Sequence, residues 1–376
     1  MKKIIFSVFV LYLLTTLTAC GNTEKEPQLW LAPTKSQDIC RLGETILFDL
    51  QGRLFYADTN NDTWMLHPVE GDTGDVGWDV SLHKAFDAHT VYVVRKEYNM
   101  LLTVEQLSED YERVPVSMMD GELMDESVPI VSEGICYYIK GTPEGKGGLG
   151  RTLKMFDLAD SEKRTVLHIW ENMDRYDYLS GLRKYDQYLV MTYMHYGIGS
   201  LWVYDTQKQE MVIAGDEDMS GAAYLDEKLY YIEDATGTVC SYDLKQQEKL
   251  GSVFPIPNYV EGVTLACDKD YLYINRSPQS MYDWAYRSSE ILVYSHEGEF
   301  IDTIDLSLNA DAVSWEIYAN PFYCVYLGST EDVVFVGRTN HMVLSAVFYI
   351  EKSQIGSETM EIHTLYLHRY EPEELP

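Results

Sequence analysis

Apolar residues alternate with polar ones along most of this chain, and turn-forming residues interrupt the alternation every few positions. The clearest stretch is Ala223 to Phe254, AYLDEKLYYIEDATGTVCSYDLKQQEKLGSVF. A strand ends at Tyr224-Leu225, Asp226-Glu227 turns the chain, and Leu229–Ile232 runs back. Asp234-Ala-Thr-Gly237 turns it again, Val239–Leu244 forms a third strand, and Lys249–Phe254 a fourth. β-Branched and aromatic residues set between polar, Gly-containing turns are the mark of antiparallel hairpins. Helical periodicity never persists for three turns.

The unit recurs. An apolar or aromatic residue, an acidic or Gly turn and an apolar-aromatic strand recur at Ile46–Ala57, Lys84–Val94, Pro129–Ile139, Leu182–Met191, Ala223–Ile232, Leu265–Ile274 and Val325–Val336. A third strand follows most copies, as LKMFDL, LWVYDT, VCSYDL and ILVYSH. The copies are spaced roughly 40 to 60 residues apart, the repeat length of four-stranded propeller blades. One blade alone cannot bury both faces of its sheet, and a ring of blades can. The sequence therefore predicts an all-β fold, a β-propeller of seven four-stranded blades. Six or eight blades also fit, because the first unit has a weak fourth strand after Pro68. The WD-repeat, Kelch and sialidase signatures are absent.

The N-terminus supplies an address. Lys2 and Lys3 precede an apolar run from Ile4 to Leu17. A run of about 14 residues falls short of the roughly 20 that span a bilayer as a helix. A basic start, a short apolar core and small residues before a cleavage point describe an export signal. Here the small residues end in Cys, as Leu17-Thr18-Ala19-Cys20. This resembles the lipobox of bacterial lipoproteins. The resemblance implies a signal peptide over 1–19, cleavage between Ala19 and Cys20, and a diacylglycerol on the Cys20 sulfur. It implies a protein lipid-anchored on the outer side of the cytoplasmic membrane, or sorted to an outer membrane where the cell has one. Residues 20–37, with two prolines, mixed charge and no sustained period, read as the lipidated Cys and a tether. Trp30 is placed to dock on the domain. The propeller then occupies 38–376.

Charge narrows the partners. Without Lys2 and Lys3 the chain carries 27 basic and 60 acidic residues, a net charge of −33. Such a surface repels nucleic acid and anionic polymers. Thirty tyrosines argue against disorder. Cys40, Cys136, Cys240, Cys267 and Cys324 include no C-x-x-C pair. Cys136, Cys240 and Cys324 sit inside apolar strand runs, where Cys behaves as a small buried apolar residue. The strand pair LYYIEDATGTVCSYDL resembles blades of bacterial TolB-like propellers and related extracytoplasmic lipoproteins, a likeness that bears on fold more than activity.

Familiar chemical motifs dissolve in this context. Gly145-Lys-Gly147-Gly-Leu-Gly150 matches a dinucleotide-binding pattern, but strands flank it on both sides, so it reads as a hairpin. Asp58-Thr-Asn60-Asn-Asp62 lacks the glycine and the bidentate acid of a calcium loop. His83 and His89, and His363 and His368, do not share the spacing of a ligand pair, so no metal and no cofactor is expected. No catalytic residue set stands out. The longer insertions carry aromatic rings with polar tips, which suit contact surfaces. In a blade of alternating strands, second-to-third connections and blade links emerge on one side. That side gathers the candidate binding residues Trp78, Tyr176, Tyr178, Tyr193, His195, Tyr196, Tyr282, Trp284, Tyr286 and Trp315. The expected role is a non-catalytic binding or assembly module anchored in the bilayer through acylated Cys20, with a protein or glycan partner. A carbohydrate-active or other hydrolytic propeller, or a small-ligand or cation sensor, are the alternatives.

Overall fold

The computed structural model describes residues 30–31, 39–42, 45–50, 53–58, 64–69, 81–86, 91–97, 100–108, 113–123, 129–140, 149–173, 178–195, 198–216, 219–259, 263–276, 290–306, 323–340 and 343–367. They form seven four-stranded antiparallel blades in a ring, a seven-bladed β-propeller. A two-residue strand, β1 (Trp30–Leu31), precedes them. Blade 1 holds β2 (Ile39–Leu42), β3 (Thr45–Leu50), β4 (Arg53–Asp58) and β5 (Met65–Pro68). Blade 2 holds β6 (Ser81–Phe86), β7 (Val91–Glu97), β8 (Met100–Leu107) and β9 (Arg113–Leu123). Blade 3 holds β10 (Ile130–Ser132), β11 (Ile135–Lys140), β12 (Leu149–Asp157) and β13 (Asp160–Met173). Blade 4 runs β14 (Tyr178–Tyr185), β15 (Tyr188–His195), β16 (Ile198–Asp205) and β17 (Glu210–Asp216). Blade 5 runs β18 (Met219–Leu225), β19 (Lys228–Glu233), β20 (Thr238–Asp243) and β21 (Glu248–Pro255). Blade 6 runs β22 (Thr264–Cys267), β23 (Leu272–Asn275), β24 (Glu290–Tyr294) and β25 (Phe300–Asp305). Blade 7 runs β26 (Tyr323–Ser329), β27 (Val333–Asn340), β28 (Val343–Glu351) and β29 (His363–Leu367). A short 3-10 turn, Lys352–Gln354, follows β28, and among the described residues no helix is long and apolar enough to cross a membrane.

Blade 5 shows why the local sequence is sufficient. Leu225 pairs with Lys228 across Asp226-Glu227, and both turn residues have positive φ. A two-residue loop in that conformation matches the right-handed twist of the strands it joins. The second strand, LYYI within KLYYIE, is buried on both faces, because blades stack against each side of it. Apolar clusters accordingly lie between successive blades. One joins blades 4 and 5 through Tyr188, Val203, Leu229 and Tyr231. Another joins blades 6 and 7 through Tyr273, Ile304, Tyr326 and Val336.

One sequence reading needs correction. The copy at Ile46–Ala57 corresponds to β3 and β4, the second and third strands of blade 1, not the first and second. The innermost strand is Ile39–Leu42, and the fourth is Met65–Pro68 rather than a strand after Pro68. Ile39-Cys-Arg-Leu is buried at all four positions, but it is four residues long and contains Arg41, so no apolar-aromatic run announces it.

The ring closes by two unusual pairings. β29 pairs in parallel with β5, so the outer strands of the last and first blades meet. β1 pairs antiparallel with β26 on its inner edge, Trp30 opposite Ser329 and Leu31 opposite Gly328. Beneath them, Phe48 meets Phe335 edge-on at 5.4 Å, and Trp64 stacks on Tyr349 at 4.4 Å.

Candidate functional site

Because strand direction alternates, each blade sends its first-to-second and third-to-fourth turns to one end of the ring, the turn end. Second-to-third connections and blade links emerge at the other, the link end. The two ends are built differently.

At the link end, Tyr178 opens β14, and Tyr193 and His195 lie at the close of β15; Tyr178 pairs with Met194 and Leu179 with Tyr193. Trp78, Tyr176, Tyr196, Tyr282, Trp284, Tyr286 and Trp315 lie outside the described residues. Tyr193 is half-buried and meets Trp202 edge-on at 6.2 Å. Trp202 in turn faces Trp170 at 5.8 Å, and Trp170 faces His168 at 4.7 Å. Gly215 makes room for this indole: it has φ +69°, and a Cβ there would lie 2.7 Å from Trp202. Burial pulls the His168 pKa down, so the cluster is uncharged at neutral pH. Sequence reasoning found Tyr193 but missed Trp170 and Trp202, which are separated from it by strand pairing.

Polar chemistry at this end centres on Asp234 in the β19–β20 connection. Its Oδ1 accepts hydrogen bonds from Ser220 Oγ at 2.6 Å and from the Tyr259 hydroxyl, so it fastens the link from blade 5 to blade 6. The Tyr259 ring lies over Gly237, where a Cβ would fall 2.4 Å from it. At the foot of the 277–289 insertion, Arg276 pairs with Glu290 at 3.3 Å. Beside it Asn275 is buried, and its Oδ1 has no hydrogen-bond partner among the described residues.

The turn end holds the strongest electrostatic site among the described residues, between blades 6 and 7. Asp268, fully buried after β22, accepts backbone N–H bonds from Asp270 and Tyr271 on Oδ1. Its Oδ2 accepts from Tyr273 (2.8 Å), Ser329 (2.6 Å) and the Lys352 ammonium (2.7 Å). Lys352 also reaches Asp270 at 3.1 Å, and Tyr326 donates to Ser329 at 3.0 Å. Burial alone would raise the Asp268 pKa, but the Lys352 charge and these hydrogen bonds together hold it below the usual carboxylate range. Burial and the Asp268 charge push Tyr273 and Tyr326 well up. With its acceptor sites filled, Asp268 is a structural anion with no lone pair to spare for a substrate.

The same slot in sister blades explains Lys352. Leu158, Thr206, Leu244 and Lys352 each donate their backbone N–H to the first-to-second turn of their own blade. Leu158 and Leu244 are buried apolar residues there. A lysine in an apolar slot was the signal available in the sequence. All five described cysteines are buried, and no disulfide joins them to one another. Burial raises the pKa of Cys136, Cys240, Cys267 and Cys324, which keeps them as unreactive thiols. Of the Gly145–Gly150 run, Leu149 and Gly150 open β12, and residues 145–148 lie outside the described residues. Among the described residues no group of three His, Cys, Asp or Glu could hold a metal ion.

No protein-family model matches this chain, and no curated protein matches it. Solved structures do. A prolyl endopeptidase matches over 90% of this chain with a TM-score of 0.58 at 12% identity. The match covers 50% of that chain, so the present protein spans about half its length. A chain of a nidogen/laminin complex matches over 69% of this chain and 93% of its own, at 11% identity and a TM-score of 0.40, too low to carry an argument. The first likeness supports the propeller fold and leaves chemistry to the site.

Proposed function

We propose that this protein is a membrane-anchored extracytoplasmic β-propeller that acts as a non-catalytic binding or assembly module. The observation that carries the reading is the asymmetry of the ring. Connections at the turn end span two to six residues, 352–362 excepted, and the three longest connections, 69–80, 276–289 and 306–322, belong to the link end and carry Trp78, Tyr282, Trp284, Tyr286 and Trp315. Rigid scaffolds that present function on variable loops are built this way. The Asp268–Lys352 pair is committed to joining blades rather than to a substrate.

Anchoring rests on Leu17-Thr18-Ala19-Cys20 behind a short apolar core. One acylated Cys contributes roughly 0.8 kcal/mol of membrane affinity per buried methylene. The test has two parts. Cys20→Ala should abolish lipid labelling and processing after Ala19; unchanged labelling would remove the anchor from this account. Tyr282→Ala/Trp284→Ala should keep the melting temperature while losing a partner recovered by crosslinking in intact cells. Unfolding of that variant would show that the insertion packs on its own blade.

A further inference from the structure

The anchor and the ring are joined by β1, and the direction of β1 sets which end of the ring faces the bilayer. β26 is a first strand, so it runs toward the turn end, where its last residue, Ser329, precedes the turn to β27. β1 is antiparallel to it and begins opposite Ser329. The chain that precedes Trp30 therefore leaves the ring at the turn end. The attachment point is firm. Ser329 is fully buried and bonded to Asp268 and Tyr326, inside the Asp268–Lys352 site that joins blades 6 and 7.

Only ten Cα-to-Cα steps, across the nine residues 21–29, separate Cys20 from Trp30. Fully extended, they reach about 35 Å. We infer that the anchored protein rides with its turn end toward the lipid surface and its link end toward the extracytoplasmic space. The inference rests on the acylation of Cys20 proposed above. Charge sets the stand-off. The turn end exposes Asp226, Glu297 and Asp332, which anionic headgroups repel over roughly a Debye length of 8–10 Å. The ring then hovers above the lipid on its tether rather than lying in it, and the partner meets the link end from the aqueous side.

Blade 5 offers a reporter at each end. Ala235 is exposed in the β19–β20 connection at the link end, and Gln246 is exposed in the β20–β21 turn at the turn end. The six residues of β20 between them set the sites about 20 Å apart. The native cysteines among the described residues are buried, so a maleimide dye goes to Ala235→Cys or Gln246→Cys in the acylated full-length protein. The protein is bound to phosphatidylcholine vesicles carrying a headgroup acceptor dye. Energy transfer from position 246 should exceed that from position 235 by about twofold, given that separation. Equal or reversed transfer in protein that floats with the vesicles overturns the orientation and leaves the anchor standing. Failure to float overturns the anchor, and the orientation with it. Leu31→Pro, which removes a strand donor, should bring the ratio toward one without loss of flotation. An unchanged ratio in that variant would show that β1 does not set the orientation.

Discussion

Two junctions of the ring are both packed with apolar side chains, and one of them adds a buried ion pair. Blades 6 and 7 are neighbours in sequence, and a buried ion pair with two tyrosines stacked at 4.4 Å joins them. Blades 7 and 1 come from the two ends of the chain, and Phe48, Phe335, Trp64 and Tyr349 join them with apolar and aromatic contacts. Apolar packing is non-directional, so it does not depend on one donor finding one acceptor. A buried ion pair is costly to break, because the surviving charge stays out of water. The closure thus rests on non-directional contacts, while the junction beside it adds a directional lock.

The largest effect should come from the seam. Phe335 is fully buried there, and Phe335→Ala should cost about 4 kcal/mol in urea denaturation, through lost transfer energy and a cavity. A single cooperative transition at lower urea would show that the ring melts as one unit. An early transition of its own would show a seam that opens separately.

The lock comes next. Asp268→Asn leaves Lys352 buried with Asp270 as its remaining carboxylate and should cost about 3 kcal/mol at pH 7. The cost should depend on pH in one direction. The folded pKa of Asp268 lies below its unfolded value of about 3.9, so its contribution is complete above that value. It is lost as pH falls through the folded pKa, and the gap between the native protein and the variant should then close. Asp268→Leu/Lys352→Met, which removes both charges, should recover much of the loss in a double-mutant cycle. No recovery would show that the hydrogen bonds from Ser329 and Tyr273 matter more than the pair.

The smallest effect tests burial. Lys245 and Glu227 make an ion pair at 3.2 Å at the turn end of blade 5, but with 69% and 44% of their side chains exposed. Glu227→Gln should change stability by less than about 1 kcal/mol. A larger change would erase the distinction between the two kinds of pair.

Much of this architecture is written locally. The turns at Asp226-Glu227, Asp186-Gln187 and Asp268-Lys269-Asp270 are legible because strand alternation and turn chemistry act over a few residues. The seven-fold repeat follows from them. Ile39–Leu42 escaped because it is four residues long, contains Arg41 and directly follows the polar tether, so no apolar-aromatic run marks it, and the register of blade 1 slipped by one strand with it. Asp268 reads as one more acidic turn residue in the sequence. Only the ring sets Ser329, 61 positions away, and Lys352 against it and turns a solvated acid into a buried one. The exit of the chain at the turn end was likewise invisible, since it depends on a two-residue pairing between the N-terminus and the last blade. Local pattern fixes which residues make strands. Which buried charge finds its partner, and which end of the ring meets the tether, is decided where distant strands meet.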